Sequence, residues 1–168
     1  MDTKGNYYDL VVKRLAERGV KLSDIEELVY FLQKDYTHPL THEKMEDAIK
    51  NVLSKREVQN AILTGIQLDV LAEEKKLDEP IQSMMVKDES LYGVDEILTF
   101  SIINLYGSIS FTNYGYVDRL KPGILKWLND PSTGHINVFL DDLIGAVAAS
   151  AAARLAHDNP ALEHHTSK

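Results

Sequence analysis

Three groups of acidic residues interrupt the most apolar part of this chain, where carboxylates are unexpected. They are Asp95 with Glu96, Asp118, and Asp141 with Asp142. Burying several carboxylates without partners costs several kcal/mol per ion, so such groups need cations. The basic residues nearby are Arg119, Lys121 and Lys126, which are too few for five acids. A divalent cation would resolve the mismatch, and ligation by carboxylates alone favours Mg²⁺, Mn²⁺ or Ca²⁺ over zinc.

Two of these basic residues indicate what a bound metal would act on. Mg²⁺ typically takes one or two protein carboxylates and keeps room for phosphate and water. Arg119 and Lys121 lie next to Asp118 and would supply positive charge for a substrate phosphate. The acidic and basic residues together therefore predict metal-dependent phosphate-ester chemistry.

Each acidic group, taken alone, also has a purely structural explanation. Carboxylates in the first turn of a helix interact favourably with the helix dipole, by roughly 0.3–1 kcal/mol each. Adjacent residues on a helix point about 100° apart, so one member of each pair can face water. The presence of three such groups in one apolar region is what favours a site over three solvated helix starts.

The elements that must position these acids are predicted to be helices. Apolar residues recur at helical spacing, and capping residues mark the starts of the helices. Ser23 with Glu26 and Ser54 with Glu57 have the spacing of capping boxes, and Thr41 is suited to cap the helix between them. Period-2 alternation persists nowhere in the sequence, so strands are not expected.

We predict an all-α fold, a compact multi-helix bundle around a buried central helix. A single domain is expected over residues 1–160, with residues 161–168 as a polar frayed tail. The stretch 94–106 is apolar nearly all round and is predicted to be the central helix. The sequence Lys121-Pro122-Gly123 is expected to end or kink the helix before it.

A last long helix, predicted to begin at Asn137, is rich in glycine and alanine. Its small side chains include Gly145, Ala148, Ala149 and Ala152, which let neighbouring helices approach closely. Helices of the same chain can cover this surface. A second subunit is the alternative, and it predicts a homo-oligomer that would present several sites to a membrane at once.

Composition excludes several classes of protein. The chain has 168 residues, a formal net charge of −8, a pI near 5.2 and no cysteine. The acidic balance argues against a nucleic-acid partner, and the missing cysteines exclude disulfides and thiolate metal sites. No stretch has the roughly 20 apolar residues of a membrane span, and no secretory signal is visible. We therefore expect a cytoplasmic protein, for which peripheral contact with the inner face of the membrane stays open.

The same acidic residues carry a family resemblance. The motifs Tyr92-Gly93-Val94-Asp95-Glu96-Ile97, Asp118-Arg119-Leu120-Lys121-Pro122 and Leu140-Asp141-Asp142-Leu143-Ile144-Gly145-Ala146 resemble, in order, those of the phosphatidylglycerophosphatase A family. The match spans roughly residues 57–156 and is closest to a soluble, helical branch found in Gram-positive bacteria, related to the low-temperature-requirement C protein.

The resemblance implies an Mg²⁺-dependent phosphatase that converts phosphatidylglycerophosphate to phosphatidylglycerol. It implies that the metal ligands come from Asp95, Glu96, Asp118, Asp141 and Asp142. Among these, Asp95, Asp118 and Asp142 are the candidate catalytic acids, and Lys121 and Arg119 the candidate contacts to the substrate phosphate. Direct attack by water and an aspartyl-phosphate intermediate both stay open.

Two departures from the family pattern keep other functions open. Membrane-bound members have hydrophobic spans that this chain lacks, and their Gly- and Pro-rich segment is replaced here by Ile66-Gln67-Leu68-Asp69. The alternatives are a catalytically silent metal-binding or scaffolding protein, and a phosphatase of a soluble phosphate ester. Asp69 is interpreted as a solvated acid, with a place in the site, reached from the long helix that carries it, as the alternative. The histidines show no regular metal-ligand spacing.

Overall fold

The computed structural model describes residues 6–158, and within this range the chain forms helices and loops without a β-strand. The α-helices in this range are α1 (Tyr8–Glu17), α2 (Leu22–Gln33), α3 (His42–Leu53), α4 (Arg56–Glu73), α5 (Ile81–Lys87), α6 (Val94–Ile103), α7 (Ser108–Leu120), α8 (Ile124–Leu128) and α9 (Leu140–His157). A 3₁₀ turn lies at Pro131–Thr133. The all-α bundle is confirmed. The predicted domain end at residue 160 and the tail 161–168 lie outside the described residues.

The central element of the bundle is α9. Every residue from Leu140 to Ala153 is buried, and the helix packs against α2, α3, α4, α6, α7 and α8. The prediction that stretch 94–106 forms the central helix is wrong, because α6 leaves Val94 and Ile97 exposed. Alanine-rich α9 looks less apolar than α6, but its small side chains are what let neighbours surround it.

The small residues of α9 are covered by helices of the same chain. Gly145, Ala148, Ala149 and Ala152 are all buried within one molecule. The explanation within one chain therefore accounts for the glycine and alanine pattern. The small residues of α9 therefore do not support the predicted homo-oligomer.

The caps of the helices follow the sequence only in part. The Thr41 hydroxyl accepts a hydrogen bond from the backbone three residues on, so the predicted cap of α3 is confirmed. Ser23 does not open α2; the helix starts one residue earlier, and the Asp24 carboxylate accepts from the Lys21 N–H at 2.7 Å. Ser54 lies at the end of α3 rather than opening α4, and its hydroxyl donates to a carbonyl of that helix.

Candidate acidic site

One lysine joins two of the three acidic groups. The Lys121 Nζ atom lies 2.7 Å from Asp118 Oδ1, 2.8 Å from Asp141 Oδ2 and 3.6 Å from Asp142 Oδ1. Asp118 comes from the last turn of α7 and the aspartate pair from the first turn of α9. The predicted chain break positions the lysine, because α7 ends at Leu120 and Lys121 takes a left-handed conformation with φ +46°. Lys121, its three carboxylate partners and Asp95, whose charge acts on Asp142, are called the acidic cluster below.

Burial dominates the electrostatics of the aspartate pair on α9. Asp141 and Asp142 are each only 7% exposed. Burial raises the pKa of Asp141 to about 6, although the Lys121 ammonium acts in the opposite direction. Burial and the neighbouring Asp141 charge raise the pKa of Asp142 to about 8. Burial alone would lower the pKa of Lys121, but the surrounding carboxylates raise it above its usual value, so the lysine stays charged.

The third acidic group contributes one residue to the cluster. Asp95, in the first turn of α6, lies close enough for its charge to raise the pKa of Asp142, after the larger effects of burial and Asp141. Its Oδ1 atom is buried and has no hydrogen-bond partner within residues 6–158. Glu96 is exposed, and the structure does not bring it to the cluster. Arg119 is likewise exposed and pairs with none of the cluster acids in the described range.

Asp88 is a further acid at this site that the sequence analysis missed. It follows α5 in a left-handed conformation with φ +48°. Burial raises the pKa of Asp88, the charge of Asp95 raises it further, and Lys121 lowers it. Asp88 also lines a cavity of about 310 Å³ together with Asn129 and His135. In the sequence Asp88 sits in a polar stretch typical of a solvated loop, so nothing there distinguishes it.

Asp69 holds the start of α9 in place, and its interpretation as a solvated acid is wrong. The side chain is fully buried. It accepts hydrogen bonds from the backbone N–H groups of Phe139 at 3.1 Å and Leu140 at 3.0 Å. Burial raises the pKa of Asp69 to about 8, while these two N–H donors act to lower it. Asp69 thus caps α9 from α4 and fixes the backbone immediately before the aspartate pair.

An ion pair between Arg18 and Glu73 holds the residues that directly precede those bound by Asp69. Arg18 Nη2 lies 2.6 Å from Glu73 Oε1 and donates to Asn137 Oδ1 at 2.7 Å. The same Glu73 oxygen accepts from the Ile136 N–H at 2.8 Å. Helix α4 therefore binds residues 136–140 through both Glu73 and Asp69. Hydrogen bonds from several residues therefore fix the backbone that precedes Asp141 and Asp142.

The donor set suits a hard divalent cation. Carboxylate oxygens are the ligands that Mg²⁺ prefers, and the unpartnered Oδ1 of Asp95 is a buried acceptor that needs a positive partner. Among the described residues, no three acids or histidines are already arranged around a common metal position. Lys121 lies between Asp118 and Asp141 instead. The chemistry of the residues fits such an ion, which would replace the lysine as the cation shared by these acids.

The fold and site define a class of protein: an all-helical bundle whose central helix begins with two buried aspartates that share one lysine with an aspartate of a neighbouring helix. A sequence model of the family described as Phosphatidylglycerophosphatase A matches residues 13–157. The chain therefore belongs to the phosphatidylglycerophosphatase A family. No helix in the described part of the chain is long and apolar enough to cross a membrane.

Individual relatives agree with this assignment. The chain is 65% identical over 144 residues to the uncharacterized protein YutG of Bacillus subtilis, covering 86% of this chain and 87% of that protein. It is similar to a solved protein of unknown function from Bacillus stearothermophilus, with a TM-score of 0.90, 59% identity and coverage of 93% and 97%. It is also similar to the low temperature requirement C protein from Listeria monocytogenes, with a TM-score of 0.88, 52% identity and coverage of 93% and 98%.

Proposed function

We propose that this protein is an Mg²⁺-dependent phosphatase that hydrolyses the terminal phosphate monoester of phosphatidylglycerophosphate to give phosphatidylglycerol. The observation that carries the proposal is the convergence of acids from α7 and α9 on Lys121, with Asp95 of α6 close enough for its charge to act on Asp142, in a chain that belongs to the phosphatidylglycerophosphatase A family. Two adjacent aspartates as deeply buried as Asp141 and Asp142 are unfavourable for folding alone, which is typical of residues kept for chemistry.

The metal would be held by cluster acids. Asp95, Asp118, Asp141 and Asp142 are the residues suited to hold it, whereas Glu96 is exposed to solvent. Mg²⁺ bound there would neutralise charge on the phosphate oxygens and make the phosphorus more open to attack.

The remaining steps fall to the side chains themselves. Lys121 has three N–H donors beside the cluster acids and would direct them at oxygens of the transferring phosphoryl group. A carboxylate oxygen that the metal leaves free would accept the proton of an attacking water, and Asp95 Oδ1, which has no hydrogen-bond partner in the range 6–158, is the candidate for this role. Arg119 is exposed, so it would meet the phosphate from the protein surface rather than from within the cluster.

The test is phosphate release from phosphatidylglycerophosphate in detergent micelles. We expect release with Mg²⁺, none with EDTA, and a loss of at least about a hundredfold in Asp95→Asn, a typical cost for removing a general base. Glu89→Gln is the matched control, because Glu89 is an exposed acid on the same segment. Release that survives EDTA, or an Asp95→Asn variant as active as Glu89→Gln, would contradict the proposal.

The silent metal-binding or scaffolding alternative is supported by one observation. Lys121 already pairs with the carboxylates, so the cluster is partly satisfied as a structural ion-pair network. Under this alternative, Mg²⁺ raises the melting temperature of the wild type while no phosphate ester is turned over. Release from a soluble ester such as glycerol phosphate, but not from the lipid, would instead favour a soluble substrate.

A further inference from the structure

Apolar side chains are exposed in an unusual concentration beside the acidic cluster. The three most exposed aliphatic side chains in the range 6–158 are Leu91 at 89%, Ile97 at 66% and Val86 at 57%. All three fall within residues 86–97, the segment that also carries the site residues Asp88 and Asp95. Exposed apolar residues scattered singly need no explanation, but a concentration at one place marks an interaction surface.

The exposed residues flank the site on two helices. Val94 and Ile97 are three residues apart and share the exposed face of α6, whereas Asp95 points to a different side of the same helix turn. Leu120 is also half exposed and directly precedes Lys121 at the end of α7. Val94 and Ile97 lie within two residues of Asp95, and Leu91 lies three residues after Asp88. Successive Cα atoms are about 3.8 Å apart, so the backbone at each of these positions runs close to the site. Leu91, Val94, Ile97 and Leu120 are called the apolar rim.

We propose that the apolar rim is a docking surface for a phospholipid bilayer, inserted at the depth of the head groups with the acidic cluster facing the lipid phosphates. The inference rests on the proposed function. A phosphate carried by a lipid stays close to the bilayer surface, so a site that reaches it must lie at that surface. Side chains immediately around the site are then the ones that enter the interface.

The charges next to the rim indicate how the bilayer would be held. Lys87 and Arg119 are exposed, make no ion pair with described residues, and adjoin Val86 and Leu120. They match the phosphates of a lipid surface. Exposed Glu89 opposes them on the same segment, and the whole chain is acidic. We therefore expect the apolar side chains to supply most of the binding, with only a weak dependence on salt.

Sedimentation with vesicles tests the docking surface without needing catalysis. The probes are phosphatidylcholine vesicles with and without a fraction of phosphatidylglycerol. Wild type is expected to sediment with both, and the double variant Leu91→Ser with Ile97→Ser to bind at least about tenfold more weakly, from the lost burial of two aliphatic side chains. The matched control is Leu10→Ser with Leu105→Ser, since these exposed leucines lie on α1 and beyond the far end of α6.

The activity arm separates this proposal from the proposed function. The double rim variant should hydrolyse a short-chain, monomeric phosphatidylglycerophosphate at the wild-type rate but lose activity on vesicles. Absence of release from either substrate would count against the proposed function, while the sedimentation result still decides the docking surface. Thermal melting checks that both double variants remain folded, which exposed positions predict.

Three results would overturn the docking proposal. The first is a wild type that does not sediment with either vesicle. The second is a rim variant that binds vesicles as tightly as the control variant. The third is a wild-type oligomer that the rim variant dissociates in light scattering while vesicle binding is unchanged, which would make the rim a contact between copies of this chain.

Discussion

At the scale of single residues, Lys121 is the cation on which the acidic cluster depends. Replacing it by methionine leaves Asp118 and Asp141 without their shared ammonium. Breaking a fully buried pair costs about 3–5 kcal/mol; Lys121 is partly exposed, so we expect Lys121→Met to lose about 1–3 kcal/mol in urea unfolding without Mg²⁺. The exposed Lys126→Met is the control and should change stability by less than about 0.5 kcal/mol.

A further prediction concerns the effect of Mg²⁺ on the stability of the Lys121→Met variant. If the metal takes the place of the ammonium, adding it should raise the melting temperature of Lys121→Met more than that of the wild type. Equal effects of Mg²⁺ on both proteins would contradict a shared position for lysine and metal.

The raised pKa of Asp142 makes stability depend on pH in a defined direction. Its pKa is about 8 in the folded protein and near the ordinary value of about 3.9 in the unfolded chain. The folded state therefore binds this proton more tightly than the unfolded chain does. The contribution of this protonated carboxyl to the free energy of unfolding is fully present below the unfolded pKa and is lost as the pH rises through the folded pKa. We expect metal-free Asp142→Asn to be more stable than the wild type, with the advantage growing from about pH 5 to about pH 9.

Melting curves across that pH range check the Asp142 prediction. Each kcal/mol should appear as a shift of about 2–4 °C in a chain of this size. The same variant should have no phosphatase activity, so it would gain stability and lose function together. An advantage that shrinks as the pH rises would show that burial of this carboxylate is not the cause.

At the scale of elements, the contact between α4 and α9 positions half of the cluster. Asp69→Ala removes the acceptor for two buried N–H groups at the start of α9. We expect a loss of about 1–3 kcal/mol and a lower kcat, because the aspartate pair follows directly on the freed backbone. Asp130→Ala removes an exposed cap whose N–H partner water can satisfy, and should cost less than about 1 kcal/mol. Equal losses in the two variants would contradict a positioning effect of Asp69.

Gly65 marks the closest approach between the same two helices. A Cβ atom at this position would collide with the Leu143 side chain and press on Phe139. We expect Gly65→Ala to destabilise by about 1–3 kcal/mol through overpacking. Gly115 in α7 faces open space, so Gly115→Ala should stabilise by about 0.5–1 kcal/mol through helix propensity. Chemical unfolding of both variants measures the contrast, and a neutral Gly65→Ala would mean that the helices can separate freely.

The helices themselves were predictable from periodicity and chain breaks, whereas their packing was not. Thr41 caps α3 as its type predicts, and the break at Lys121 ends α7 where proline requires it. The prediction of α6 as the central helix was wrong because hydropathy measures the preference of a side chain for an apolar environment, not its burial in the fold. Helix α6 is strongly apolar but leaves several of its apolar residues exposed. Alanines in α9 carry little hydropathy, yet their size lets six helices pack around them.

At the scale of the whole molecule, the acids of the site were predictable where they interrupt apolar sequence. Asp118, Asp141 and Asp142 lie close together, and the cation that they share in the structure is Lys121, which the sequence analysis assigned to the substrate phosphate. Asp88 could not be found in that way, since it lies among polar neighbours in the sequence. Asp69 does interrupt an apolar stretch, but its partners are backbone N–H groups 70 and 71 residues away, which only the packing of α4 against α9 brings to it. Glu96 was grouped with Asp95 by adjacency alone, and the helix turns it to solvent.

The central claim is that these buried carboxylates serve the removal of a terminal phosphate with Mg²⁺. Phosphorus NMR of one sample of phosphatidylglycerophosphate with the protein tests it directly, because the monoester, the diester and inorganic phosphate give separate signals. We expect no change in the spectrum while EDTA is present. After Mg²⁺ is added in excess, we expect the monoester signal to be replaced by the signal of inorganic phosphate, while the diester signal stays constant. A monoester signal that persists with Mg²⁺, or that disappears in EDTA, would contradict it.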